Sequence, residues 1–389
     1  MRKPVRKKLI PKNLTRNFVI TLLILLVFGL IMIYDATSVH SQSVYGTPYK
    51  FVLLQFVWTG VGFLGFLFFF KLDYRKFSPL AYIIFFVSLI SLLFLAVASR
   101  ISCGSGIPFA PCINGANRWV FLNPSPLPEI PFLGVLGFQP AELAKLGIVL
   151  YLSYHLSFKT KKEEGFSVYL FVTLLISCLI VMQPNLSTAI IVYLIGTTMY
   201  FSTGFKFFPV LISFVFLLLI SLVLTLVSPY RLSRLRTHIG NSTGEELKED
   251  YHSRQVSIAL GSGGIFGMGF GQSRQKYQYL PEVASDSIFA IIGEELGLIG
   301  TVLLISTFTF FLFLGFQIGQ NATDTVGRLL VVGVTSWMGF QFFINVAAMV
   351  RLIPLTGVPM PLVSYGGSSM VFSLIGLGIV ANISKHSRV

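Results

Sequence analysis

Residues 287–305 read SIFAIIGEELGLIGTVLLI, an apolar run entered through KYQYLPEVASD at residues 276–286. A helix needs about 20 such residues to cross a hydrocarbon core of ~30 Å. Comparable windows recur near 18–38, 51–70, 79–98, 140–158, 166–183, 187–204, 207–228, 288–318, 327–348 and 366–384. The 389 residues are 54% hydrophobic and only 11% charged, against roughly 25% charged in soluble domains. These features exclude a soluble fold. They predict an all-α polytopic membrane protein, a bundle of ten transmembrane helices with a large extracytoplasmic loop (229–287) between spans 7 and 8. The chain divides into a basic tail (1–17), a membrane domain (18–384) and a short C-terminus (385–389).

Cations set the orientation, because Lys and Arg gather on the cytoplasmic side. Seven of them, Arg2, Lys3, Arg6, Lys7, Lys8, Lys12 and Arg16, precede the first span. Lys71, Arg75, Lys76, Lys159, Lys161, Lys162, Lys206, Arg328, Lys385 and Arg388 fall on the same side, whereas the short opposite loops hold Lys50, Arg100, Arg118 and Arg351. Both termini are therefore expected in the cytoplasm. Much of the net charge of +14 lies in the basic tail, which reads as attraction to anionic membrane lipids and not to nucleic acid. The first apolar run is too long for a cleaved signal and is expected to remain as an anchor. Cys103 and Cys112 share one outer loop, where an oxidising exterior leaves a disulfide open. Cys178 lies mid-span and reads as a packing residue, and no His/Cys cluster has metal-ligand spacing.

Four acids fall in residues 282–295 of a chain with 15 in all: Glu282, Asp286, Glu294 and Glu295. Asp286 stands at the mouth of a span. It fits a first-turn acid at a helix start, a role open to Ser285 as well, or a general base at the membrane surface. On a continuous helix Glu282 would lie a turn above it and Glu294 two turns below. Glu294 and Glu295 sit within the span, where carboxylates face the bundle interior and take partners. Glu142 and Lys145 form a second intramembrane pair at i and i+3, able to satisfy each other.

The long outer loop breaks the cation bias with Arg231, Arg234, Arg236 and Lys276, among others. With Arg118 these suit a phosphate or pyrophosphate. GSGGIFGMGFG at 261–271 lacks the ending of a phosphate-binding loop. Its glycines read as positions of close backbone approach to lipid, substrate or a neighbouring helix. From the residues alone, two activities remain: an enzyme acting on a lipid-linked pyrophosphate, or a transporter of an anionic lipid.

GANRWV (115–120), FQPAELAKL (138–146), QPNLSTA (183–189), RQVSIALGSGGIFGMGFGQSRQKYQYLPE (254–282), SDSIFAIIGEELGLIG (285–300) and LIPLTGVPMPLVSYGGSS (352–369) occur in this order. In these segments the chain resembles the SEDS family (shape, elongation, division and sporulation; FtsW, RodA and SpoVE), and most closely the FtsW branch. The resemblance implies a ten-span peptidoglycan glycosyltransferase of cell division. Such an enzyme polymerises lipid II at the outer face of the bacterial cytoplasmic membrane, at the division septum. It implies as partners a class B penicillin-binding protein (an FtsI-like transpeptidase) and other division proteins.

The family's catalytic acid falls on Asp286. Trp119 and Lys276 match two further motif positions, and Arg118, Arg231, Arg234, Glu142, Lys145, Glu294 and Ser364 complete the candidate substrate-binding set. No protein metal site is expected, although a Mg or Mn ion would suit the leaving pyrophosphate. Three departures stand out. Ala284-Ser285-Asp286-Ser287 replaces His-Thr-Asp-Phe, Asn185 replaces the Asp of Gln-Pro-Asp, and Tyr251-His252 replaces Tyr-Gln. Two other readings follow from the same features: a lipid II flippase, for which the intramembrane charges would form the path, and a scaffold for the penicillin-binding protein.

Overall fold

The computed structural model describes residues 12–99, 107–113, 115–130, 133–158, 162–204, 211, 215, 247–277, 280 and 282–386. Its helices are α1 (Lys12–Tyr45), α2 (Lys50–Lys71), α3 (Ser78–Ala98), α4 (Pro140–Phe158), α5 (Lys162–Met182), α6 (Leu186–Ser202), α7 (Leu247–Gly263), α8 (Ile288–Gln320), α9 (Thr325–Met349) and α10 (Gly367–His386). Seven described helices are long and apolar enough to cross a membrane: those of α1, α2, α3, α5, α8, α9 and α10. The chain is a multi-pass membrane protein. The expected span at 207–228 and the loop segment 229–246 lie outside the described residues.

Apolar side chains on the outer faces of α1, α2, α3 and α8 are exposed, as in Ile24, Leu64, Ile90 and Leu303. That is the pattern of helices solvated by lipid. Helix α4 is an inner helix, with Leu146, Ile148, Val149, Leu150 and Leu152 all buried, and it packs on α3, α6 and α9. At one end of the bundle, polar side chains tie chain-distant helices. Asn382 of α10 donates to Phe70 O (2.7 Å) and Leu72 O (2.6 Å). Asp324 caps α9 at Gly327 N and accepts from Tyr74 Oη (2.6 Å).

The Pro- and Gly-rich segment after α3 forms two small antiparallel ladders. Cys112–Ile113 pairs with Ala116–Asn117, and Val120–Phe121 pairs with Gly137–Phe138. Cys112 is disulfide-bonded, and Cys103 lies outside the described residues. Cys178 was expected to pack inside; it is free and exposed on α5, because its face of the helix turns away from the bundle.

Part of the long loop is helical. Residues 247–263 form α7, which packs on α8 and buries Val256 and Ala259. The glycines that follow explain the contact. A Cβ on Gly263 would stand 2.0 Å from Gly293 O, and one on Gly267 (φ +82°) 2.1 Å from Glu295 O. The backbone approached is that of α8, which breaks at Gly297 (φ 65°, ψ −163°). Groups released by the break are satisfied across the contact. Met268 and Gly269 N–H donate to Glu294 and Glu295 O (2.9 and 3.0 Å), and Leu298 and Ile299 N–H donate to Gly264 and Ile265 O (2.9 and 3.2 Å). Irregular backbone at membrane depth survives only with such partners.

Candidate active site

Asp286 lies in a turn just before α8. Residues 282–286 are not helical, and Glu282 has φ +50°, so Glu282 is not one helical turn above Asp286. Neither Asp286 nor Ser285 caps α8. The cap position is Ser287, which makes no side-chain capping bond. Its hydroxyl instead lies 2.8 Å from His252 Nε2 of α7.

Asp286 is 7% exposed and is gripped through its backbone. Asn345 Nδ2 of α9 donates to Asp286 O and to Val358 O, both at 2.8 Å. Tyr365 N–H donates to the neighbouring Ala284 O at 2.8 Å, and burial pushes the Tyr365 phenol up to about 12, so it stays neutral. The Asp286 carboxylate accepts from Ser285 Oγ (3.4 Å).

Glu142 and Lys145 join this region through the same face of α9. Lys145 Nζ donates to Glu142 Oε1 (2.7 Å) and to Gln341 Oε1 (2.6 Å), over the Trp337 ring. Gln341 Nε2 donates to Pro359 O at 2.9 Å. Gln341 and Asn345 are four residues apart and share a helix face. One face of α9 therefore links the buried ion pair, the 358–359 backbone and Asp286. Glu142 Oε2, Asn345 Oδ1 and Thr356 Oγ1 are buried with no hydrogen-bond partner among the described residues. Each such atom costs about 1–3 kcal/mol unless water or a substrate group meets it.

Glu294, Glu295 and Lys276 form a separate cluster. Glu295 accepts from Gly271 N and Ser273 N, both at 3.0 Å, and Glu294 from Arg274 N (3.0 Å), Gln275 N (3.3 Å) and Ser273 Oγ (2.5 Å). Lys276 Nζ lies 3.0 Å from Glu295 Oε1 and 2.8 Å from Asp35 Oδ1 of α1. Burial alone would lower the Lys276 pKa, but the hydrogen bonds and charges of Asp35 and Glu295 leave it above the ordinary lysine value. Asp35 escaped the sequence reading. Its only signal was a lone acid near the end of the first apolar run, GLIMIYDATS.

The remaining candidates are dispersed. Arg118 donates to Gln183 O (3.3 Å) and Pro184 O (2.7 Å), anchoring the outer ladders to the end of α5, and Trp119 beside it is half-buried. Ser364 Oγ accepts from Met360 N at 2.9 Å, closing a turn. Arg231 and Arg234 lie outside the described residues. Asn185 caps α6 through Thr188 N (3.3 Å), a role that Asp fills equally well, which accounts for that departure. Among the described residues no three His, Cys, Asp or Glu side chains are grouped to hold a metal ion.

The family model of FtsW, RodA and SpoVE, described as cell cycle protein, matches residues 15–389. The chain belongs to this family. Stage V sporulation protein E of Bacillus subtilis is 34% identical over 383 residues, covering 95% of this chain and 96% of the relative. Two proteins called Probable peptidoglycan glycosyltransferase FtsW are similar throughout. That of B. subtilis is 32% identical (97% and 92% covered), and that of Trichlorobacter lovleyi 30% (93% and 91%). The fold is that of the crystal structure of Thermus thermophilus rod shape determining protein RodA (TM-score 0.67, 24% identity, 96% and 97% covered). It is also that of a chain from a peptidoglycan synthase complex described for its coordination of polymerization and crosslinking (TM-score 0.73, 24% identity, 95% and 97% covered). In this FtsW/RodA/SpoVE member, the matched region contains every described candidate residue.

Proposed function

We propose that this protein is a peptidoglycan glycosyltransferase that polymerises lipid II at the outer face of the cytoplasmic membrane during cell division, with Asp286 as general base. The observation that carries the reading is full-length membership in a family whose relatives bear that activity in their names. The placement of Asp286 supports it: a buried carboxylate at a helix mouth, its backbone carbonyl held by Asn345 of α9 and that of nearby Ala284 by Tyr365.

In the proposed reaction the Asp286 carboxylate removes the proton from the C4 hydroxyl of the acceptor's terminal GlcNAc. The oxygen attacks C1 of the donor's MurNAc as the C1–O bond to the pyrophosphate breaks. Polyprenyl pyrophosphate departs with the electron pair, and inversion turns an α linkage into a β-1,4 bond. Holding the base against the acceptor removes orientational entropy from this step. Arg231 and Arg234 are proposed to meet the developing negative charge. Lys276, enclosed by Asp35 and Glu295, is proposed to anchor the loop instead.

The ten-span topology with cytoplasmic termini, septal localisation and a class B penicillin-binding partner complete the reading. The complex containing a structural neighbour supports the partner. The test is Asp286→Asn in the purified protein, reconstituted with lipid II and the transpeptidase. Polymer formation should vanish while the melting transition is retained. Wild-type polymerisation by this variant would overturn the assignment.

A further inference from the structure

Ser287 occupies the N-cap of α8, where a serine hydroxyl ordinarily accepts from the backbone N–H two or three residues on. Here it makes no such bond. The side chain is fully buried, and its Oγ lies 2.8 Å from His252 Nε2. The ring donates to the hydroxyl in one tautomer and accepts from it in the other; both tie the same two atoms.

The tie closes a frame. The far end of α7 is seated on α8 through Gly263 and Gly293, and through the amides of the glycine loop. His252 is eleven residues earlier on α7, about 16 Å up a helix, at the end where Asp286 lies. The His252–Ser287 bond is thus a second fastening of α7 to α8, applied at the residue next to Asp286. Asn345 holds Asp286 O from α9, and Tyr365 N–H holds Ala284 O from the 350–366 segment. The two residues are 35 positions apart in sequence and bonded in space.

We propose that His252 is a positioning residue for glycosyl transfer: through Ser287 it fixes the start of α8 and so the approach of Asp286 to the acceptor hydroxyl. The inference rests on Asp286 being the base. A small displacement of a base lowers turnover more than substrate binding.

The test uses the full-length protein with its transpeptidase in liposomes, with lipid II varied, and compares His252→Leu, Ser287→Ala, the double variant, His252→Gln and Asp286→Asn. Each single removal of the bond should lower kcat roughly tenfold, with KM for lipid II within about twofold of wild type. The double variant should be no worse than either single one. His252→Gln, whose amide nitrogen reaches the position of Nε2, should recover most of the turnover. Melting curves separate a positioning loss from misfolding. Unimpaired kcat in both single variants beside an inactive Asp286→Asn overturns the positioning role and leaves the base intact. Multiplying losses in the double variant also overturn it. Full activity of Asp286→Asn removes the base, and the inference with it.

Discussion

Lys145 and Lys276 show how a charge is kept inside this protein: each is buried and each faces carboxylate oxygen, Glu142 for the first, Asp35 and Glu295 for the second. Removing one partner of such a pair is costlier than removing both, because the survivor stays buried and uncompensated. Lys145→Met should therefore destabilise by about 3–5 kcal/mol, and Glu142→Gln/Lys145→Met should recover much of the loss, read from melting in detergent. Lys276→Met should act likewise. The Lys276 pKa is raised in the folded state, so its contribution is complete below the ordinary lysine value of 10.5 and is lost as pH rises through the folded value. Melts on the alkaline side should show that loss in wild type and a weaker one in Lys276→Met. The Glu142–Lys145 pair was legible as i, i+3 spacing. The partners of Lys276 were not, since Asp35 lies 241 residues away and no local pattern connects them.

The elements that matter most are α7, the glycine loop and the broken α8. The apolar run showed α8 with almost its observed bounds, but α7 was hidden across the junction of a polar stretch (to Gln255) and a glycine-rich apolar one (from Val256). Its helix is stabilised by contact with α8 and not by a strong apolar stripe of its own. Gly267→Ala places a methyl group 2.1 Å from Glu295 O, in a backbone region strained for any L side chain, and neither backbone can yield alone. The expected outcome is a loss of about 2–4 kcal/mol in stability. Hydrogen exchange should quicken at Met268, Gly269, Leu298 and Ile299, whose amides bridge the contact. Unchanged exchange at those amides would remove the loop's claim to hold the break in α8.

For the whole molecule, the proposed orientation is testable at exposed positions of opposite loops. A cysteine at Leu122 in the outer ladders should react with an impermeant maleimide in intact cells, and one at Arg75 only after permeabilisation; both side chains are more than half exposed. Reversed labelling would invert the topology and place Asp286 on the wrong side for lipid II polymerisation. Composition alone determined that the chain lives in a membrane, because a bilayer selects long apolar runs by length and charge. The motifs alone pointed to Asp286 and to the family. Tertiary structure decided which partner each buried acid takes. It set the Glu142–Lys145 pair of α4 against the α9 face that holds Asp286, set Glu294 and Glu295 against the amides of residues 271–275, and drew in Asp35 and His252. Pairing among buried polar groups depends on which helices touch, and a low-dielectric interior enforces that pairing without leaving a periodic trace in the sequence.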